Sequence, residues 1–306
     1  MKGGRVVIFG AAGFIGRNLV GHLKDKFQVV ESDVNSNNST VGDKFIEADV
    51  TRYDQVLLAI RDSDYVINLA AHALGPSLVD PITNAQINII GTLNILEAAK
   101  VEKVKKVLFA SASSVVGEAT TTQVSEEVLT NPKTPYGVAK LACEHYFKVY
   151  GELWNINYVV FRLFNVYGPY QRDGLIPHLY KEITENRPVK ITGDGKQIRD
   201  FVYVKDVVKF FEQALIRDSC SKLIVNLGTG RGTMIIEVAR MMFDMLGKPL
   251  RVEYIPKPKG EISNFIADTT RLREKFGFLP STPLDIGIAE TITWLKENMQ
   301  KYYTAK

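Results

Sequence analysis

Tyr136 and Lys140 stand four residues apart in Tyr-Gly-Val-Ala-Lys, at the opening of a segment whose pattern predicts a helix over 135–152. That spacing puts both side chains on one helix face. An ammonium beside a phenol lowers the phenol's pKa and gives an oxygen able to remove or return a hydroxyl proton during hydride transfer. The same ammonium can hydrogen-bond a ribose. Spacing alone decides nothing, because the chain holds a second copy, Tyr302 to Lys306, in a C-terminal tail that offers catalysis no setting.

A glycine loop is the second chemical feature. Arg5-Val-Val-Ile-Phe9 reads as a strand and runs into Gly10-Ala-Ala-Gly13-Phe14-Ile15-Gly16, followed by a helical pattern over 13–25. Glycines in a strand–turn–helix let the chain turn tightly, bring backbone N–H groups to a pyrophosphate and let helix and strand pack closely. Their spacing of three departs from G-x-G-x-x-G, whose middle glycine would fall at Ala12. Asp33 ends the second predicted strand. A carboxylate there accepts hydrogen bonds from a ribose diol and repels a 2′-phosphate, which favours NAD over NADP; Glu31 competes for the role.

The elements that must carry these residues alternate in βαβ fashion. Strands are predicted at Arg5–Phe9, Gln28–Glu31, Lys44–Glu47, Tyr65–Leu69, Val107–Ser111 and Tyr158–Leu163, and helices over 13–25, 53–61, 83–101 and 135–152. Thr134-Pro135 offers an N-cap with proline in the first turn. Beyond residue 167, Gly168-Pro169, Arg187-Pro188, Gly193-Asp194-Gly195 and later prolines punctuate shorter elements, whereas Phe201–Val204, 205–217 and Leu223–Asn226 return to the first sheet. The expectation is a doubly wound parallel α/β sheet, formed by 1–167 plus about 200–228. A smaller, interleaved α/β lobe takes about 168–199 plus 229–306.

Composition bounds the function. The 306 residues, 45% hydrophobic and 24% charged, exclude a disordered, collagenous or repeat-built chain. Lysines and arginines number 38 against 34 acids, a net charge of +4, with no basic face suited to nucleic acid. The densest run, Lys103, Lys105 and Lys106, is expected at a helix C-terminus. Cys143 and Cys220 make no metal spacing or disulfide framework, and His22, His72, His145 and His178 form no i,i+4 pair, so no metal is expected. No signal peptide or membrane span is read, and the expected setting is reducing and cytoplasmic.

Further ordered segments accompany the loop and the pair: Asp49-Val50, Asn68-Leu69-Ala70-Ala71, Asn88-x-x-Gly91-Thr, Phe161-Arg-x-Phe-Asn165-Val-Tyr-Gly-Pro169 and Gly193-Asp-Gly-x-Gln-x-Arg199-Asp-Phe-Val-Tyr-Val-x-Asp206. With them the chain resembles the extended short-chain dehydrogenase/reductase family, in its NAD-dependent nucleotide-sugar epimerase/dehydratase branch. The resemblance implies a Rossmann-type NAD-binding domain and a nucleotide-sugar-binding domain. It places Asp49 and Val50 at the adenine, Leu69, Ala70, Ala71 and Asn88 at the cofactor with Phe14 and Ile15, and Asn165 and Arg199 on the substrate diphosphate. Arginine suits that task through its planar fork. The resemblance also implies a homodimer formed through the helices over 83–101 and 135–152.

Two positions depart from the family. Its catalytic Ser or Thr, five residues before the glycine of Val-Tyr-Gly, falls here on Ala112, with Ser111 and Ser113 on either side; Ser113 is taken as the catalytic hydroxyl, with Tyr136 and Lys140. Val116 replaces the usual aromatic. The serines at 113 and 114 cannot protonate a leaving hydroxide, so dehydration is disfavoured. Epimerisation at C3 or C5 would need another acid/base pair, and Cys143 reads as a core thiol. Hydride transfer at C4 remains. The expected activity is a 4-epimerase working through a transient 4-keto sugar, with a one-way 4-dehydrogenase or 4-ketoreductase as alternative. A non-catalytic NAD-binding regulatory protein is the reading from another class. By its position after Gly260-Glu261, Phe265 corresponds to a site where a large residue restricts the sugar pocket in the family, and the resemblance thus implies a plain hexose over an N-acetylated one; Lys257-Pro258-Lys259 replaces the family's second diphosphate arginine.

Overall fold

The computed structural model describes residues 2–34, 42–118, 121, 123–256 and 264–304, with side chains up to Asn298. Lys257-Pro258-Lys259, Gly260-Glu261 and the side chains of Tyr302 and Lys306 lie outside the described residues.

Seven strands build the central sheet: β1 (Gly3–Phe9), β2 (Phe27–Asp33), β3 (Lys44–Glu47), β4 (Tyr65–Asn68), β5 (Lys106–Ala112), β6 (Tyr158–Leu163) and β7 (Leu223–Leu227). Their order is β7-β6-β5-β4-β1-β2-β3, and every neighbouring pair is parallel. The direction of travel reverses between β1 and β4, which opens a crevice at their carboxyl ends. Helices α1 (Phe14–Leu23) and α5 (Val204–Ile216) cover one face; α2 (Tyr53–Ile60), α3 (Gly91–Val101) and α4 (Pro135–Leu153) cover the other.

Both faces are dry, so the strands are apolar without alternation. In β1, Val6 and Ile8 join Leu19, Leu108, Phe161 and Phe211 on one side, while Val7 and Phe9 join Val66, Leu96, Phe109 and Phe147 on the other. Thr134 caps α4 as its sequence predicts, its Oγ1 accepting from Gly137 N–H at 3.1 Å, with Pro135 in the first turn. The helix predicted over 83–101 is broken differently: an α segment Pro81–Ala85 and a π-helical turn Gln86–Ile90 lead into α3. Such turns recur at functional sites.

Outside that sheet, Leu179, Ile183, Ile191, Ile236, Met242 and Ile288 pack around Tyr167 and Phe201. Strand Ile198–Arg199 lies there between Thr233–Met234 and Asn264–Ala267. Of the segments expected to return to the first sheet, Leu223–Leu227 does. Phe201–Tyr203 does not: it pairs with Asn165–Tyr167, because β7 already occupies the sheet edge beside β6. Lys106 meets the expectation of a helix C-terminus, though not that of the helix before it. Its buried Nζ donates to Ala214 O and Arg217 O, both at 2.8 Å, and so closes the C-terminus of α5.

Candidate active site

The crevice at β1 and β4 is a cleft of about 420 Å³ lined by Gly10, Ala12, Gly13, Asp33, Asp49, Val50 and Leu69 to Ala71, among others. The glycines have separate causes. Gly10 has φ of 77°, and a Cβ there would stand 2.8 Å from Ala70 N; at Gly16 it would stand 2.3 Å from Gly10 O. At Gly13 it would meet only Gly10 O, at 3.2 Å. Packing therefore demands glycine at 10 and 16, while Gly13 leaves room above the helix. Gly13 is also the N-cap of α1, with no side-chain cap and no acid in the first turn. Helix N–H groups with that room suit a pyrophosphate.

Asp33 stands beside the loop: Ala12 N–H donates to its Oδ2 and Val34 N–H to its Oδ1, both at 2.9 Å. A carboxylate retains further acceptor capacity for a ribose diol. Glu31, its competitor, is buried and bound by Gly42 N–H at 2.5 Å. Asp49 lines the cleft while holding Thr51. Asn88 lies behind the wall: its Oδ1 accepts from His72 N–H and its Nδ2 donates to His72 O, so it braces the Leu69–Ala71 segment from the π turn. Asn84 does the same from one turn earlier, a role the sequence did not signal. These residues fit NAD.

A second cleft of about 410 Å³ continues from the loop and joins Gly13, Phe14, Ile15 and Gly16 to Ala112, Tyr136, Lys140 and Phe164. The glycine loop and the Tyr136–Lys140 pair thus meet in one space. Lys140 is fully buried, its Nζ donating to Ala110 O at 2.8 Å and lying 5.6 Å from the centre of the Tyr136 ring. Burial pushes Lys140 down to about 8 and pushes the Tyr136 phenol up to about 12. The expected lowering of the phenol by its lysine is therefore not found: desolvation, and after it the Cys143 thiol, raises the phenol instead.

Around the missing hydroxyl, Ala112 and Ser111 line the cleft, but Ser111 Oγ donates to Glu144 Oε1 at 2.6 Å, and Glu144 is clasped by Arg162 in a buried ion pair at 2.7 Å. Ser113 opens the one-turn 3₁₀ segment Ser113–Val115, half-buried, and is not among the lining residues. Cys143 is a core thiol donating to Asn88 O at 3.0 Å. Gln171, which no sequence pattern indicated, lines the cleft and donates to Val166 O at 3.2 Å.

The substrate candidates lie on short strands outside the central sheet. Asn165 lines a small neighbouring cleft. Arg199 pairs in register with Phe265. Phe265 is 5% exposed and stacks on Phe164 with ring centres 5.3 Å apart, so it reaches the cleft through Phe164. Val116 fills the same buried cluster. Among the described residues no group of His, Cys, Asp or Glu could hold a metal ion, and no helix is long and apolar enough to cross a membrane.

A doubly wound sheet, a glycine loop at its switch point and a Tyr–Lys pair facing that loop define a dinucleotide-binding protein of the extended short-chain dehydrogenase/reductase type. Residues 6–228 match the family model described as NAD dependent epimerase/dehydratase family, and the chain belongs to that family, with NAD as its cofactor. It is 33% identical to the UDP-glucose 4-epimerase of Mycolicibacterium smegmatis, over 97% of this chain and 100% of that one. Among solved structures, a UDP-N-acetylglucosamine 4-epimerase from Methanobrevibacter ruminantium in complex with UDP-N-acetylmuramic acid superposes with a TM-score of 0.92 at 30% identity, covering 98% of this chain and 100% of that chain. The Thermus thermophilus UDP-glucose 4-epimerase in complex with NAD gives 0.88 at 30% identity, covering 95% and 99%.

Proposed function

We propose that the chain is an NAD-dependent nucleotide-sugar 4-epimerase, and the observation that carries this reading is the single cleft shared by Gly13, Tyr136 and Lys140. When bound, NAD supplies the redox partner for oxidation at C4 and its reversal. Glycine-loop amides hold the pyrophosphate, Asp33 the adenosine ribose, and Lys140 the second ribose. Tyr136 takes the C4 hydroxyl proton and returns it. Burial holds the phenol near 12 and so protonated at neutral pH; the Lys140 ammonium, 5.6 Å from the ring centre, is a nearby positive charge of the sign that favours the phenolate. Ser113 is assigned the remaining hydrogen bond to the reacting hydroxyl; Asn165 and Arg199 hold the diphosphate and Phe265 narrows the sugar pocket.

In this reading 1–167 with about 200–228 holds the cofactor and the remainder holds the sugar nucleotide. The protein acts as a homodimer: Ile82, Ile90, Val138, Val149 and Leu153 are exposed apolar residues along the segments that pair in the family. The two buried, unpaired cysteines accord with a reducing cytoplasm. A product survey with a panel of UDP-, GDP- and dTDP-sugars tests the activity: an isomer formed without net NADH supports the epimerase, stoichiometric NADH supports the dehydrogenase, and no product from any of them removes both.

A further inference from the structure

Asp200 is fully buried between Arg199 and Phe201, where a lone carboxylate is costly unless its lone pairs are used. They are used. Thr229 N–H and Thr229 Oγ donate to Oδ1 at 2.8 and 2.6 Å, while Gly230 N–H and Ala267 N–H donate to Oδ2 at 2.9 and 3.1 Å. The backbone carbonyl of the same residue accepts from Asn165 N–H at 3.0 Å. The loop after β7 wraps so closely that a Cβ at Gly228 would stand 2.7 Å from Asp200 Oδ2.

These bonds have a common geometry. Ala267 ends the strand carrying Phe265, Arg199 pairs with Phe265 across Ile198–Arg199, and Asn165 begins the strand paired with Phe201. Two segments distant in sequence, 229–230 and the strand ending at Ala267, are therefore tied to one carboxylate, and Asn165 is tied to the backbone carbonyl of the same residue. We infer that Asp200 is the positioning residue of the substrate wall, the buried anchor on which the backbone segments bearing Asn165, Arg199 and Phe265 are assembled. It touches no ligand itself. The inference rests on the proposed assignment of those residues to the sugar nucleotide.

The chemistry of the donor set selects the variants. Asp200→Asn keeps the size and one acceptor oxygen but turns an amide NH₂ toward backbone donors, freeing either the 229–230 loop or the Ala267 strand. Thr229→Val removes one donor; Thr229→Ser keeps it. The experiment titrates each protein with UDP, GDP and dTDP by calorimetry, follows the best nucleotide-sugar substrate kinetically, and measures bound NAD. For Asp200→Asn, nucleotide Kd and KM should rise about tenfold, with kcat within about twofold and NAD content unchanged. Thr229→Val should move Kd and KM in the same direction by about threefold, and Thr229→Ser should resemble the parent. A merely structural role predicts another pattern: lower thermal stability and a smaller active fraction at unchanged Kd and KM. That result, in Asp200→Asn or, if it does not fold, in Thr229→Val, overturns the inference. Failure of the parent protein to bind any of the nucleotides overturns the functional reading instead.

Discussion

The hydroxyl of Ser111 is committed to Glu144: Oγ donates to Oε1 at 2.6 Å, in a buried cluster closed by the Arg162 guanidinium. Ser111 and Arg162 are register partners on β5 and β6, and Glu144 lies one turn beyond Lys140 on α4. The cluster fixes the helix carrying the Tyr–Lys pair against the strand end carrying Ala112. Ser111→Ala should therefore cost about 1–2 kcal/mol of stability and leave kcat within a few-fold, whereas Ser113→Ala should lower kcat about tenfold or more at unchanged stability. Thermal melts with steady-state kinetics separate the two. Equal kcat losses would mean that Ser111 serves the substrate.

Removing one partner of the buried pair is the harsher change. Arg162→Met strands Glu144 without its cation and should cost about 3–5 kcal/mol, read from denaturant midpoints. A loss below about 1 kcal/mol would show that the pair contributes little.

Tyr136→Phe should lower kcat by about a thousandfold while leaving the content of bound NAD as in the parent, because in the proposed mechanism the phenol moves the proton while the loop amides and Asp33 hold the cofactor. Retained turnover would reassign the general base.

Lys140 joins function to stability. Burial lowers it from 10.5 to about 8, which corresponds to about 3 kcal/mol of unfavourable free energy when it is charged. The sign follows from proton uptake: between about 8 and 10.5 the unfolded chain binds more protons, so stability rises with pH through that window, and below it the full cost is present. Lys140→Met should melt about 2 °C or more above the parent at neutral pH, an advantage that shrinks toward pH 10, and should be inactive. In the parent, kcat should fall as pH rises through about 8 and the ammonium is lost. A flat profile across that value would separate Lys140 from the proton transfer.

Much of this was legible in the sequence for physical reasons. The β1 run and the glycines of the loop mark a buried parallel strand and a close turn, and both are found where the residues place them. Thr134-Pro135 marks the start of α4 just as directly. What could not be read depends on distant chain segments. Neither the capture of Ser111 by Glu144 nor the gathering of Thr229 and Ala267 by Asp200 has a local pattern. The high phenol pKa of Tyr136 is likewise a property of burial, which spacing does not record.

We propose that the cofactor preference is a charge effect at Asp33. Asp33→Asn keeps an oxygen for Ala12 N–H but removes the charge that repels a 2′-phosphate, so the preference for NAD over NADP should fall about tenfold in competitive binding. An unchanged ratio would place the discrimination elsewhere.

The most direct measurement combines NMR of the sugar product with the absorbance of reduced nicotinamide, using purified protein and the UDP-, GDP- and dTDP-sugar panel. The expected result is the C4 epimer of one substrate, accumulating to equilibrium with no net NADH. NADH formed in step with an oxidised sugar, or no conversion of any member of the panel, contradicts the 4-epimerase.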